Sequence, residues 1–366
     1  MSAIAFKTFR SSRLLKSINP ANPHIIYKII IKNLERETKV EKSLILPHNS
    51  RNHSMIPYVS PHSKKELSIH GNKLQNTDNE SFPIINEIPR FVPVDNYASA
   101  FGLQWKTFAK TQLDSFSKTN ITQGRLERCL GFPIEGLENK TILEVGCGAG
   151  RFTELLVKGK GLVHSIDLSV AVETNKENIG DAANYQVAQA SVYELPYADE
   201  SFDIVICLGV IQHTPSSEKT IEALWSKVRP GGILVIDHYK WRIGYYSTLC
   251  PIYRMILKEM DPNKSKKIVD RLVDFFFPLH WKLQNNTIAN WLLHRVSPLI
   301  VYMNLFKDQD RNFHYEWSKL DTYDSLTDYY KHLRTPYQIK NKLEQLGAKD
   351  IWINEGGNGV EARCKK

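Results

Sequence analysis

The chain reads Ile142-Leu143-Glu144-Val145-Gly146-Cys147-Gly148-Ala149-Gly150-Arg151-Phe152-Thr153, and a carboxylate, Asp167, closes the apolar run that starts at Leu162. Three alternating glycines present bare backbone, because no Cβ stands between the chain and a ligand. A carboxylate about 20 residues further on, at the end of the next strand, can accept hydrogen bonds from both hydroxyls of a ribose. The pair predicts a site for a nucleoside-containing cofactor. Spacing narrows the choice. A pyrophosphate loop needs G-x-G-x-x-G opening a helix whose amides grip the phosphates. Here the third glycine, Gly150, comes one residue early, and Arg151 stands where the dinucleotide pattern has glycine.

Strands and helices must hold these residues in place. Thr141 to Val145 and Leu162 to Asp167 read as buried strands, with a helix starting at Arg151. Phe202 to Leu208 is an apolar run suited to a central parallel strand. A helix over Ser217 to Val228, the break Arg229-Pro230-Gly231-Gly232 and a strand over Ile233 to Asp237 follow. Near the end, Ile351 to Asn354 and Val360 to Arg363 flank Gly356-Gly357-Asn358-Gly359, a hairpin signal.

The E-V-G-C-G-A-G run resembles motif I of the class I S-adenosylmethionine-dependent methyltransferases, and Asp167 matches the acidic residue of their motif II. The resemblance implies an α/β fold, a Rossmann-like doubly wound seven-stranded sheet of strand order 3-2-1-4-5-7-6. It implies S-adenosylmethionine as cofactor. Glu144, Gly146, Cys147, Gly148 and Gly150 would lie at its methionine part, and Asp167 with Leu168 at the ribose. Ser191 and Val192, in Ala190-Ser191-Val192-Tyr193-Glu194-Leu195-Pro196, would cover the adenine, with Ser191 where many relatives carry Asp. Leu208 would follow strand 4. Asn96-Tyr97-Ala98-Ser99-Ala100-Phe101-Gly102-Leu103-Gln104-Trp105 resembles a stretch of one bacterial branch of the family, and would be either helix packing or a lid carrying Gln104 and Trp105 to the sulfonium. Residues 56–94 resemble the zinc ribbon that precedes many bacterial relatives. Ser60 and Ser63 stand where its first cysteines would be, and hydroxyls are poor zinc ligands, so a metal-free remnant is expected.

Methyl transfer to a hydroxyl needs a group to take the proton. His213, in Gln212-His213-Thr214-Pro215, and His238 with Tyr239 are the candidate catalytic residues, since imidazole titrates near neutrality. His314, Asp321, Tyr323 and Asp324 form a further candidate cluster for the acceptor. After strand 4 the chain has Leu208-Gly209-Val210-Ile211 and lacks the [DNS]-P-P-[YF] motif with which base- and amide-methylating relatives hold a planar amino group. An oxygen of a small molecule or glycan precursor is therefore the favoured acceptor. A methyltransferase acting on RNA or protein and a noncatalytic S-adenosylmethionine-binding protein are the alternatives.

With 366 residues, 42% of them apolar, the chain can bury a substantial core. Its net charge is +9, but residues 1–80 hold 13 Lys or Arg against 6 Asp or Glu, so the excess sits on an appendage and not on a stripe across the catalytic domain. That distribution disfavours nucleic acid as substrate. Five scattered cysteines form no CxxC pair and point to a reducing compartment, so a cytoplasmic location is expected. No run of 18 apolar residues predicts a transmembrane helix. The expected organisation is a basic segment over 1–55, the ribbon remnant over 56–94, lid helices over 95–139, the cofactor domain over 140–239 and 335–366, and a helical insertion over 240–334 that roofs the acceptor. Within the insertion, helices are predicted over 241–260, 263–284 and 287–304, with Trp291 to Phe306, interrupted by His294 and Arg295, read as a buried helix in preference to a membrane contact. Oligomeric state is not legible.

Overall fold

The computed structural model describes residues 55–93, 96 and 98–366; the expected basic segment lies outside the described residues except for Met55. Two sheets organise the chain. A small antiparallel sheet comes first, with β1 (Ser68–His70), β2 (Lys73–Gln75), β3 (Ser81–Ile85) and β4 (Ile88–Pro89) in sequential order. Three helices follow: α1 (Ser99–Thr107), α2 (Asp114–Ser117) and α3 (Ile121–Leu130).

The large sheet begins with β5 (Thr141–Val145), then α4 (Thr153–Lys158), β6 (Leu162–Asp167), α5 (Ala171–Ile179), β7 (Tyr185–Gln189), β8 (Phe202–Cys207), α6 (Ser217–Lys227) and β9 (Val228–Tyr239). It closes with α11 (Pro336–Gln345), β10 (Lys349–Gly356) and β11 (Gly359–Lys365), after an insertion between β9 and α11. The order across the sheet is β10-β11-β9-β8-β5-β6-β7, which is the 3-2-1-4-5-7-6 order read from the other edge. Strands β5 to β9 pair in parallel and β11 pairs antiparallel with both neighbours. Parallel strands covered by helices on both faces must be apolar on both faces. Ile142, Leu143, Ile204, Val205, Leu234 and Val235 meet that demand and are fully buried.

The small sheet is fastened to the β7 edge. Phe91 N–H donates to the Gln189 carbonyl at 2.8 Å, and Arg90 reaches Gln189 Oε1 at 3.1 Å and Glu173 at 2.7 Å. An edge strand that could pair with another chain is thereby covered. Phe82, Phe91 and Tyr197 join one apolar cluster with the sheet core.

The insertion contains α7 (Cys250–Leu257), α8 (Pro262–Leu283), α9 (Thr287–Val296) and α10 (Arg311–Thr327). Val269, Val273, Phe277, Tyr323 and Leu326 make a core separate from that of the sheet. Three expectations are corrected here. The helix expected over 241–260 is a 3-10 turn, Ile243–Ser247, followed by α7. The helix expected to run to 304 ends at Val296, because Pro298 disfavours helical backbone at Ser297. Trp291 to Phe306 is not a buried helix, since α9 buries none of its residues. Helix α10 was not expected; Asp310 caps it by accepting from Phe313 N–H at 2.7 Å.

Candidate active site

The glycine loop joins β5 to α4. Gly146 and Cys147 donate their N–H groups to the Ile166 carbonyl at 2.7 and 3.0 Å, which pins the loop against β6. Gly146 has φ +78°, and a Cβ there would come within 2.2 Å of Val210 Cγ2. Gly148, at φ +50°, faces the Trp105 indole, and a Cβ would stand 3.0 Å from it. Only glycine suits these two positions. Asp167 stands beside them, its carboxylate accepting from Gly148 N–H at 2.9 Å and from Ser169 N–H and Oγ at 2.8 and 2.7 Å. Burial pushes the Asp167 carboxyl above its usual range in spite of those bonds.

A cavity of about 1160 Å³ runs from this loop to the insertion. Gly146, Cys147, Gly148, Asp167, Leu168, Val192 and Leu208 line one end, with Gln104 and Trp105 of α1 against them. Three expected cofactor residues lie outside its wall. Glu144 is buried behind the loop, where Oε2 accepts from Thr153 Oγ1 and Ser165 Oγ at 2.7 Å each, and burial pushes its pKa up to about 7. Gly150, at φ +99°, turns the chain into α4 without touching the cavity. Ser191 Oγ accepts from the Tyr193 N–H, at 3.2 Å.

At the other end are His213, Tyr239, Asp321 and Asp324. His213 Nδ1 lies 3.3 Å from the Tyr330 carbonyl, which can only accept, so the proton belongs on Nδ1 and Nε2 keeps its lone pair. Asp328 Oδ2 is also 3.0 Å from Nδ1 but has no aligned donor, and therefore acts on the ring as charge. Asp324 Oδ2 is 3.8 Å from Nε2 and accepts from the Tyr239 hydroxyl at 3.1 Å. Burial alone would lower the His213 pKa, but the two carboxylates outweigh it and hold the imidazole above its ordinary value. Asp328 is itself held by Arg254 Nε at 2.7 Å and lies 3.4 Å from Lys331 Nζ.

His238 does not reach the cavity. It is fully buried between β9 and α6, with Nε2 2.9 Å from Ser217 Oγ and Nδ1 3.0 Å from the Tyr239 carbonyl, and burial brings its pKa down to about 4. Alternation along β9 sends its ring to the helix side. Of the acceptor cluster, Asp321 and Asp324 line the cavity, whereas Tyr323 belongs to the insertion's core and His314 is buried with Nε2 3.1 Å from the Phe306 carbonyl. Burial raises the Asp321 carboxyl to about 6, although it accepts from the Tyr302 hydroxyl.

Arg151 and Asp328 are site residues that the sequence reading missed. Arg151 bonds Thr122 Oγ1 and Gln112 Oε1 at 3.2 Å each and lies over the rings of Phe152 and Trp317, 5.3 and 5.5 Å from their centroids. Burial lowers its pKa to about 10, so it stays charged at neutral pH. Its departure from the dinucleotide pattern was the available signal. Asp328 carries no local signal at all.

Residues 143–236 match the family model described as "Methyltransferase domain". A ubiquinone biosynthesis O-methyltransferase of Hydrogenovibrio crunogenus is 36% identical over 103 residues, covering 27% of this chain and 42% of that protein. A tRNA U34 carboxymethyltransferase of Nautilia profundicola is 27% identical over 156 residues, 42% of this chain and 49% of that one. The match thus spans less than half of either relative. A crystal structure of a SAM-dependent methyltransferase from Aquifex aeolicus aligns with a TM-score of 0.37 at 14% identity, over 74% of this chain and 98% of that one.

Proposed function

From the match of residues 143–236 to the methyltransferase domain family, we propose that this chain transfers a methyl group from S-adenosylmethionine to an oxygen of a small molecule held between the sheet and the insertion. The observation that carries the reading is the single cavity shared by the glycine loop, His213 and the insertion. A cofactor and an acceptor must meet in one water-poor space for in-line displacement, and a cavity of about 1160 Å³ has room for both.

The residues present fit the cofactor. The Gly146, Cys147 and Gly148 backbone forms the cavity wall at the loop, and Asp167 Oδ2, which accepts from the Gly148 N–H, keeps a second lone pair for a ribose hydroxyl. Leu168 and Val192 supply apolar walls for a purine, and Trp105 excludes water at the loop. When bound, S-adenosylmethionine supplies an electrophilic methyl group on a sulfonium. The protein's part is to orient the acceptor and remove its proton. His213 Nε2 takes that proton, with Nδ1 anchored on the Tyr330 carbonyl and the positive charge then shared with Asp324 and Asp328. The O-methyltransferase among the relatives supports oxygen as acceptor.

Methyl-labelled S-adenosylmethionine incubated with the full chain and a metabolite extract should label the small-molecule fraction. Label found only in RNA or protein would overturn the acceptor class. Calorimetry should show S-adenosylhomocysteine binding that Asp167→Ala weakens by ~1–3 kcal/mol through loss of charge-assisted hydrogen bonds. Tight NAD binding with none of S-adenosylhomocysteine would overturn the cofactor.

A further inference from the structure

We propose that the outward face of the insertion is a docking surface for an anionic lipid bilayer. Helix α9 buries none of its residues, and Ile288 and Trp291 are 74% and 55% exposed. On α7, Ile252, Met255 and Ile256 are each more than half exposed, and Ile243 of the preceding turn is 75% exposed. The two helices adjoin: Leu249 N–H donates to the Arg295 carbonyl at 2.9 Å, across the start of α7 and the end of α9. A protein surface facing only water does not gather apolar side chains in this way.

Charge selects the occupant. Residues 238–258 contain four Lys or Arg and residues 275–307 contain three, with no Asp or Glu inside either segment. Lys240, Arg254 and Lys258 pair with Glu355, Asp328 and Glu259, and Arg242, Lys282 and Lys307 lie outside those ion pairs. The Arg295 guanidinium lies 4.5 Å over the Trp291 ring, an apolar plane with a cation on it. Apolar and aromatic side chains with interleaved cations are what the headgroup layer of an anionic bilayer accepts. The apolar groups stand on separate short elements, and acyl chains need no matched relief to receive them. Among the described residues no helix is long and apolar enough to cross a membrane, so the face lies on the bilayer. Arg242, next in the chain to the exposed Ile243, lines the cavity, as does the 69% exposed Leu305, so the cavity reaches the surface at residues of the insertion. That the bilayer delivers the acceptor rests on the methyl-transfer reading; the docking itself does not.

Co-sedimentation of the full chain, without cofactor, with vesicles of phosphatidylcholine mixed with phosphatidylglycerol tests the docking. Binding is expected there and not to phosphatidylcholine alone. Ile288→Asp with Trp291→Asp should weaken it by about tenfold or more, as should Ile252→Asp with Met255→Asp, while circular dichroism and S-adenosylhomocysteine affinity stay unchanged. No sedimentation of the parent chain overturns the proposal. Sedimentation that both variants retain overturns it as well, since the basic residues outside the insertion would then be responsible. A dimer in ultracentrifugation that the same substitutions dissociate, without vesicle binding, would assign the face to a second copy. Failed methyl transfer with intact vesicle binding would count against the enzymatic reading alone.

Discussion

At the scale of single residues, His213 is the proposed proton acceptor. Its raised pKa has a definite sign: the protonated ring is favoured, so its stabilising contribution is present below the ordinary imidazole value and lost as pH rises through the raised one. The base form appears over the same interval. Turnover should therefore climb with pH, with a midpoint above the ordinary histidine value of about 6.5. Asp328→Asn should move that midpoint down, because it removes a charge 3.0 Å from Nδ1. His213→Gln should cut kcat by about 10²–10⁴ while leaving S-adenosylhomocysteine affinity nearly unchanged. A pH profile of kcat/KM that is identical in all three proteins would remove His213 from the reaction. Sequence could name His213, since a histidine just after a central strand stands at the ligand-binding edge. It could not separate His213 from His238, because the distinction lies in which face of β9 the His238 ring takes and what packs there.

At the scale of elements, the small sheet shows how hydroxyl, amide and carboxylate side chains hold two turns together. Ser60 Oγ accepts from the N–H groups of His62 and Ser63 at 3.1 and 3.3 Å, and Asn76 Oδ1 accepts from those of Asp78 and Glu80 at 2.9 and 3.1 Å. Asn76 Nδ2 then donates to Glu80 at 2.5 Å, and the Ser63 hydroxyl donates to the same carboxylate. These side chains hold together two turns that thiolates and a metal could otherwise join. Elemental analysis should find no stoichiometric zinc, and chelators should not lower Tm. Ser60→Ala should destabilise the chain by ~1–2 kcal/mol, because the buried hydroxyl serves two amides. One zinc per purified chain would refute this account. Ser60 and Ser63 were singled out in the sequence; Asn76 and Glu80 were not, because amide and carboxylate caps are ordinary turn residues until a fold brings them together. The insertion was less legible still. Pro298 gave a stop signal and Asp310 a start signal for α10, but aromatic residues on every side hid the helical period.

At the scale of the molecule, the proposed function assigns cofactor binding to the sheet and acceptor binding to the insertion. The sheet was read almost strand for strand, since parallel strands buried on both faces leave long apolar runs and glycine breaks between them. The insertion packs a core of its own and meets the cavity through Tyr302, Trp317, Asp321 and Asp324. Two neighbouring positions on α10 then have opposite fates. Asp321 lines the cavity beside Gln112, whose Nε2 is 3.4 Å away, at the insertion end. Asp321→Asn should lower kcat/KM while S-adenosylhomocysteine affinity stays within about threefold, since an interaction with the acceptor is realised only when the acceptor is present. Tyr323 is buried among Val269, Val273 and Phe277, so Tyr323→Ala should instead cost ~3–5 kcal/mol of stability by opening a cavity in the insertion's core. Its loss of turnover should follow the loss of folded protein, and Tyr323→Phe should recover most of both, because the ring that fills the core is kept. Equal loss of S-adenosylhomocysteine binding and turnover in a folded Asp321→Asn protein would place the insertion in the cofactor site and remove the separation.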